Sequence, residues 1–230
     1  MEKILIVEDD ENLLFIISKT LENTGYQTLT AEDGSKAIEV LNQCSDIDLV
    51  ITDLIMPIVD GLQLSKYIRN KKEFCHLPIL VLTGQGDIYN KCQGFDAGAD
   101  DYITKPPDFV EFMLRIKALL NRSKRNKPVI ESNLKFTFSR DKSTISFSDK
   151  EIYFTQTEFD IIDYLYDKKN NPTTSEELLE KVMGYPKGVG NPVTIRTHIR
   201  NIRSKFEKEF NIADFIVNIP KRGYALNIYE

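Results

Sequence analysis

Apolar and polar positions follow two different periods along the chain. In the first half, short runs of aliphatic and β-branched residues at 4–7, 26–30, 49–52, 79–82 and 102–104 are separated by longer stretches at 11–22, 35–42, 62–69 and 109–120, where apolar residues return every three or four positions. Near-continuous apolar runs of strand length suit strands covered on both faces, and the helical stretches supply the covering layers. The pattern predicts an α/β fold with a five-stranded, doubly wound parallel sheet.

The second half has another rhythm. Residues 134–154 alternate polar and apolar with turn residues between, as short antiparallel strands do. Three helical stretches follow. The first, 157–167, has Phe159, Ile162, Leu165 and Tyr166 on its core face, and the second opens at 175–179 with acids in its first turn. In the third, 194–209, Ile195, Ile199, Ile202 and Phe206 fall within about 60° of one another on a helical wheel. Residues 215–219 and 224–228 form a hairpin with a basic tip, Pro220-Lys221-Arg222-Gly223. A hairpin beside a helix-turn-helix is a winged helix-turn-helix. Between the halves, Arg122-Ser123-Lys124-Arg125-Asn126-Lys127-Pro128 is polar, basic and closed by proline, which is linker composition. The expected domains are therefore 1–121 and 132–230, joined by a linker at 122–131.

The 230 residues, 41% apolar and 28% charged, suffice for two small domains with cores of their own. No apolar run approaches the roughly 18 residues of a membrane-spanning helix. The opening Met1-Glu2-Lys3 leads into an apolar run too short for a signal-peptide core, so a cytoplasmic protein is expected. Cys44, Cys75 and Cys92 are odd in number and lack metal-ligand spacing, and read as small buried or half-buried hydrophobes. Charge tells more. Residues 1–121 carry 20 acidic and 11 basic side chains, whereas residues 122–230 carry 15 and 19, so only the second half suits a polyanion.

In a doubly wound sheet, ligands sit beyond the carboxyl ends of the strands. There the first strand is followed by Glu8, Asp9 and Asp10, the third by Asp53, the fourth by Thr83 and Gly84, and the fifth by Lys105 and Pro106. Clustered carboxylates repel unless a cation intervenes, and all-oxygen ligands suit Mg²⁺. Lys105 adds a point charge for a phosphoryl oxygen, Thr83 a hydroxyl donor and Gly84 room for a tetrahedral group. A carboxylate beside a divalent ion that also accepts a phosphoryl group forms an aspartyl phosphate. Each acid alone would read as a helix cap or a solvated loop; their joint arrival at the strand ends singles them out.

These residues carry a family resemblance. Ile4-Leu5-Ile6-Val7-Glu8-Asp9-Asp10, Asp53-Leu54-Ile55-Met56-Pro57-Ile58-Val59-Asp60-Gly61, Thr83-Gly84 and Gly98-Ala99-Asp100-Asp101-Tyr102-Ile103-Thr104-Lys105-Pro106 closely resemble the receiver domain of two-component response regulators, over essentially all of 1–121. The resemblance implies a flavodoxin-like fold with Asp53 as phosphoacceptor and Glu8 and Asp9 as its acidic pocket. Mg²⁺ would be held by Asp9, Asp53 and the backbone carbonyl of Ile55. Thr83 and Tyr102 match the switch pair, and Lys105 the phosphate-contacting lysine before a cis proline. Pro107 departs from the family, which usually carries an aromatic there; Asp108, three before Glu111, still makes a helix cap.

On the 194–209 stretch, Arg196, Thr197, Arg200, Asn201 and Ser204 face away from the core stripe, Arg203 and Lys205 flank it, and no acid interrupts 194–206. Guanidinium, hydroxyl and amide groups in this arrangement suit phosphates and base edges. Phe154-Thr155-Gln156-Thr157-Glu158-Phe159, the 194–206 stretch and Arg222-Gly223-Tyr224 resemble the C-terminal domain of OmpR/PhoB-type regulators, from about 132 onward. By that resemblance His198, Arg200 and Arg203 are phosphate contacts and Thr197 and Asn201 base-edge readers. Thr194, Arg196 and Lys205 share the DNA-binding helix, and Lys221 and Arg222 form the wing tip. Arg196 and Pro220 depart from the family pattern. In relatives, the loop at 184–192 is where RNA polymerase can be touched.

Together the two halves read as a phosphorylation-gated, sequence-specific DNA-binding transcription regulator. A sensor histidine kinase would donate the phosphoryl group to Asp53 with Mg²⁺. A homodimer would form through the surface that in relatives joins the fourth helix, fifth strand and fifth helix, with Lys91, Asp101, Glu111, Arg115 and Lys117 supplying its ion pairs. An aspartyl-phosphate phosphatase would need a second acid two residues past the nucleophile, where Ile55 stands. No enzyme is therefore expected beyond self-catalysed phosphotransfer and dephosphorylation. A constitutive binder with a vestigial pocket fits poorly with Glu8, Asp9, Asp53, Thr83 and Lys105 all being present.

Overall fold

The computed structural model describes residues 1–84, 97–123, 136–140, 142–168 and 171–227, and the chain divides into two compact units, Met1–Ser123 and Lys124–Glu230. In the first unit, β1 (Lys3–Val7), β2 (Gln27–Ala31), β3 (Leu49–Asp53), β4 (Ile79–Thr83) and β5 (Asp101–Thr104) form a parallel sheet in the order β2-β1-β3-β4-β5. Each expected strand is present, displaced or extended by one residue. Alternate residues feed different cores. Leu5, Val7, Val50 and Val81 pack with Leu41 and Leu64 of helices Gly34–Gln43 and Gly61–Asn70, while Ile4, Ile6, Ile51 and Leu82 pack with Leu21 and Ile116 of helices Glu11–Asn23 and Phe109–Ser123. Burial on both faces is the physical origin of the near-continuous apolar runs.

Helix starts settle where the acids go. The Asp10 carboxylate accepts the amides of Asn12 at 2.9 Å and Leu13 at 3.1 Å, capping Glu11–Asn23, so it serves the helix while Glu8 and Asp9 serve the crevice. Asp60 caps Gly61–Asn70 in a reciprocal box with Gln63. The Phe109–Ser123 helix runs past its expected end at 120 and takes in Arg122 and Ser123, which composition alone assigns to the linker. Once a helix is anchored by packing, polar residues extend it at little cost. The rest of the expected linker, 124–131, lies outside the described residues.

In the second unit, β6 (Phe136–Ser139), β7 (Thr144–Phe147) and β8 (Lys150–Tyr153) form an antiparallel sheet in that order, followed by helices Gln156–Asp167, Ser175–Lys181 and Pro192–Phe210 and by a hairpin of β9 (Ile216–Ile219) and β10 (Gly223–Leu226). This is the expected winged-helix order. The core is aromatic: Phe206 stacks on Phe215 and meets Phe136 and Phe154. The last helix begins two residues earlier than periodicity predicts, because Asn191 caps it and Pro192 occupies its first turn, where the missing amide costs nothing. Thr173 and Tyr224 exchange backbone hydrogen bonds at 2.8 and 2.9 Å, tying the hairpin to the segment before Ser175–Lys181. Gly223 permits this approach: a Cβ there would stand 2.1 Å from the Thr173 carbonyl oxygen, and its φ of +105° disfavours other residues.

Candidate functional site

Glu8 follows β1, Asp53 ends β3 and Lys105 follows β5, so the parallel topology delivers all three to one end of the sheet. The Lys105 ammonium lies 2.6 Å from Glu8 Oε2 and 2.8 Å from Asp53 Oδ2. Carboxylate oxygens of Glu8, Asp9 and Asp53 lie within 4.8 Å of one another, with Glu8 buried, Asp9 exposed and Asp53 nearly buried. Three carboxylates thus face one ammonium. Burial pushes the Glu8 carboxyl above its ordinary range against the pull of Lys105. Burial alone would lower the Lys105 pKa; hydrogen bonds to Asp53 and Glu8 outweigh it and raise the value. The surplus of negative charge and the all-oxygen donor set fit Mg²⁺, with Asp9 open to solvent as a hydrated ion requires. Ile55, two residues past Asp53, has an exposed side chain in the adjoining loop.

The backbone around Asp53 is tightly determined. The amide of Leu54 donates to Asp53 Oδ1 at 2.6 Å, and the Gly61 amide donates to the Leu54 carbonyl at 3.1 Å. A Cβ on Gly61 would stand 2.1 Å from the Asp53 carbonyl oxygen, so only glycine lets the next helix start this close. Thr83 is fully buried at the end of β4, and its carbonyl accepts the Lys105 amide at 2.7 Å. Tyr102 is buried in the core cluster containing Leu5 and Val81. The Lys105–Pro106 bond is cis.

Three of the residues expected to bridge two chains are joined within one. Arg115 Nη1 lies 2.7 and 2.8 Å from the two carboxylate oxygens of Asp101, and Arg115 Nε donates to Glu111 Oε1 at 3.0 Å. Asp101 and Arg115 are buried, whereas Lys117 is exposed. Lys91 lies outside the described residues, as does Cys92; Cys44 is half-buried and Cys75 buried.

The Pro192–Phe210 helix sorts its expected DNA contacts into two sets. Arg196, Arg200 and Ser204 are exposed, Asn201 is half-exposed, and Lys221 and Arg222 are exposed at the hairpin tip. Thr194, Thr197 and His198 are buried, at variance with the outward placement expected of Thr197, whose hydroxyl donates to the Val193 carbonyl at 2.9 Å. The helix is gripped by Ser175–Lys181, Gln156–Asp167 and β8 together, so its buried face is wider than the isoleucine stripe. Arg203 Nε donates to the Ile216 carbonyl at 2.8 Å, and Lys205 pairs with Glu158 at 2.6 Å.

Sequence reasoning missed Arg69 and the role of Asp100. Arg69 Nη2 lies 2.7 Å from Asp100 Oδ2, while its other nitrogens donate to the carbonyls of Gly98, Cys75 and Leu77. Asp100 also accepts the Ile79 amide at 3.0 Å. This knot fixes the starts of β4 and β5, the strands that end at Thr83 and Lys105. The available signal was an aspartate beside an apolar strand, since a buried carboxylate demands a partner.

A phosphoacceptor-type acidic pocket on a flavodoxin-like sheet, followed by a winged helix, defines a two-domain signalling regulator. Residues 4–117 match the family described as response regulator receiver domain, and residues 149–226 match transcriptional regulatory protein, C terminal. The DNA-binding dual master transcriptional regulator RpaA of a Synechocystis species is 34% identical, the match covering 99% of this chain and 96% of that one. Response regulator ArlR of Staphylococcus aureus is also 34% identical, covering 98% of this chain and 100% of its own. Among solved structures, a RitR mutant has the same fold, with a TM-score of 0.79 at 22% identity, covering 99% of this chain and 100% of that one. A response regulator receiver domain protein from Clostridium thermocellum is 32% identical at a TM-score of 0.51, over 54% of this chain and 98% of that one. The chain belongs to the response regulators of the OmpR/PhoB type. It is a DNA-binding transcriptional regulator, not an enzyme, and its partner classes are a histidine kinase and DNA. Among the described residues, no helix is long and apolar enough to cross a membrane.

Proposed function

We propose that Asp53 accepts a phosphoryl group from a sensor histidine kinase and that this acylphosphate controls DNA binding. The observation that carries this is the unbalanced cluster of Glu8, Asp9 and Asp53 around a single ammonium. In the transfer, an Asp53 carboxylate oxygen attacks phosphorus, the new O–P bond forms as the phosphohistidine N–P bond breaks, and the imidazole leaves with the electron pair. Asp9, Asp53 and the Ile55 carbonyl would hold Mg²⁺ beside Glu8, and the ion when bound would supply the positive charge that a dianionic phosphoryl group requires. Lys105 then has a phosphoryl oxygen to exchange for the Asp53 oxygen it now holds, and Thr83 has a hydroxyl to offer. Tyr102 is the second member of the switch pair, biasing the outer surface of the receiver between two states.

The working division is the expected receiver at 1–121, with its last helix carried on to Ser123, and a DNA-binding domain at 132–230, the remainder of 122–131 joining them. Phosphorylated receivers pair through the surface expected to carry Lys91, Asp101, Glu111, Arg115 and Lys117. Pairing places two winged helices on half-sites about one helical turn apart, with Arg196, Arg200 and Asn201 in the major groove and Lys221 and Arg222 at the wing. The loop at 184–192 is the segment offered to RNA polymerase. Acetyl phosphate with Mg²⁺ should add one phosphoryl group by intact mass and raise affinity for a two-half-site duplex, and Asp53→Asn should abolish both. Equal labelling of the Asn variant would refute the assignment.

A further inference from the structure

Given the DNA-reading role proposed for the Pro192–Phe210 helix, we infer that Lys205 is a positioning residue and not a phosphate contact: its ammonium is an internal strut that fixes this helix against the start of Gln156–Asp167. Lys205 Nζ lies 2.6 Å from Glu158 Oε2, donates to the Tyr153 carbonyl at 3.2 Å and stands 5.2 Å from the centre of the Phe154 ring. The Lys205 side chain is 35% exposed, but two of the three donors of its ammonium are committed to these oxygens and the cation also stands over the ring.

Glu158 has reasons of its own to stay where it is. Its side chain is only 3% exposed, and the same Oε2 accepts the Thr155 amide at 3.0 Å while the Thr155 hydroxyl oxygen accepts the Glu158 amide at 3.2 Å. One carboxylate therefore caps the first helix of the DNA-binding domain and holds the third. Drawing Lys205 out to a DNA phosphate would leave that carboxylate buried without its cation, close to a second anion. On the helix's other flank, Arg203 Nε holds the Ile216 carbonyl of β9 at 2.8 Å. The two cations that flank the core stripe thus brace the helix on opposite sides, and the exposed Arg196 and Arg200 are aimed by that bracing.

The test uses the full chain with two probes, a duplex selected by the wild-type protein from a random pool and poly(dI-dC). Lys205→Met should weaken the selected duplex about tenfold while leaving the slope of log K against log salt unchanged. Binding to poly(dI-dC) should not change. Lys205→Arg should restore the affinity, and Glu158→Gln should reproduce the loss even though it leaves the lysine charge in place. Hydrogen exchange without DNA should show lost protection around residues 155–159 and 203–210 in Lys205→Met at a temperature where circular dichroism shows it fully folded. A salt slope reduced by about one unit on both duplexes, or a Glu158→Gln variant that binds as well as or better than wild type, would identify Lys205 as a phosphate contact and overturn the strut. Unchanged exchange without DNA would overturn it independently of any DNA result.

Discussion

The acidic pocket and the Pro192–Phe210 helix are both dense in charge, yet they use it in opposite ways. At the pocket, three carboxylates cluster, two of them on one ammonium, and no other ion pair to them is found among the described residues. Along the helix, Lys205 is matched by Glu158 and Arg203 by a carbonyl, while Arg196 and Arg200 are exposed on the outer face. Asp101 with Arg115 is a matched pair in the receiver itself. A surplus marks a place where a ligand completes the structure; a matched buried pair marks a place where the structure is already complete.

The largest effect should come from breaking a matched pair. Arg115→Ala leaves Asp101 buried without its guanidinium and should lower receiver stability by about 3–5 kcal/mol in urea titration. A loss below about 1 kcal/mol would mean that this pair is no more than a surface contact. At the pocket the same operation should be milder and, above all, reversible by a cation. Lys105→Met should lower stability by about 1–3 kcal/mol without Mg²⁺. Millimolar Mg²⁺ should recover most of that, because an ion bound only by the folded state adds its binding free energy to stability. Arg115→Ala should show no such rescue. Equal Mg²⁺ responses in the two variants would erase the distinction between surplus and matched charge.

That distinction also separates what was legible in the sequence from what was not. Strands, sheet class and the joint arrival of Glu8, Asp53 and Lys105 were legible, because burial on both faces leaves apolar runs and because strand ends of a parallel sheet share one edge. Asp10 shows the limit: adjacency to Asp9 does not reveal that its carboxylate turns back to cap a helix. Thr197 fails for a related reason. A helical wheel gives an angle about one axis, whereas burial depends on how many neighbouring elements close around the helix. Here several do, and the inward limit of the wheel moved accordingly. Arg69 was invisible because its partners are backbone carbonyls and an aspartate 31 residues away, a separation that carries no local pattern.

A smaller effect is expected on the outer face of the helix, at the proposed DNA contacts. Arg200→Ala should reduce the slope of log K against log salt by about one unit on any duplex, the signature of one lost phosphate contact. Asn201→Ala should instead change which base pair is preferred at one position, at about 1–3 kcal/mol. Fluorescence anisotropy across a salt series and binding-site selection check the two. If Arg200→Ala left the slope intact, this exposed guanidinium would have to be assigned to something other than phosphate.

The smallest effect tests whether a matched pair near the surface behaves like a buried one. Glu177 accepts a hydrogen bond from the Tyr164 hydroxyl at 2.9 Å and pairs with Lys168 at 2.7 Å, joining the ends of helices Gln156–Asp167 and Ser175–Lys181. Lys168 first and Tyr164 second hold the Glu177 carboxyl below its ordinary value of 4.5. A lowered carboxylate pKa adds stability that is present above 4.5 and lost as pH falls through the lower folded value. Because Glu177 and Lys168 are each about one-third exposed, solvent screens the pair and its contribution should be the smallest of those considered. Thermal unfolding of the DNA-binding transition should therefore differ between wild type and Glu177→Gln at pH 6 and converge toward pH 3. A difference that persisted unchanged at pH 3 would show that the side chain acts there through its shape and the tyrosine hydrogen bond, and that charge at this edge contributes nothing.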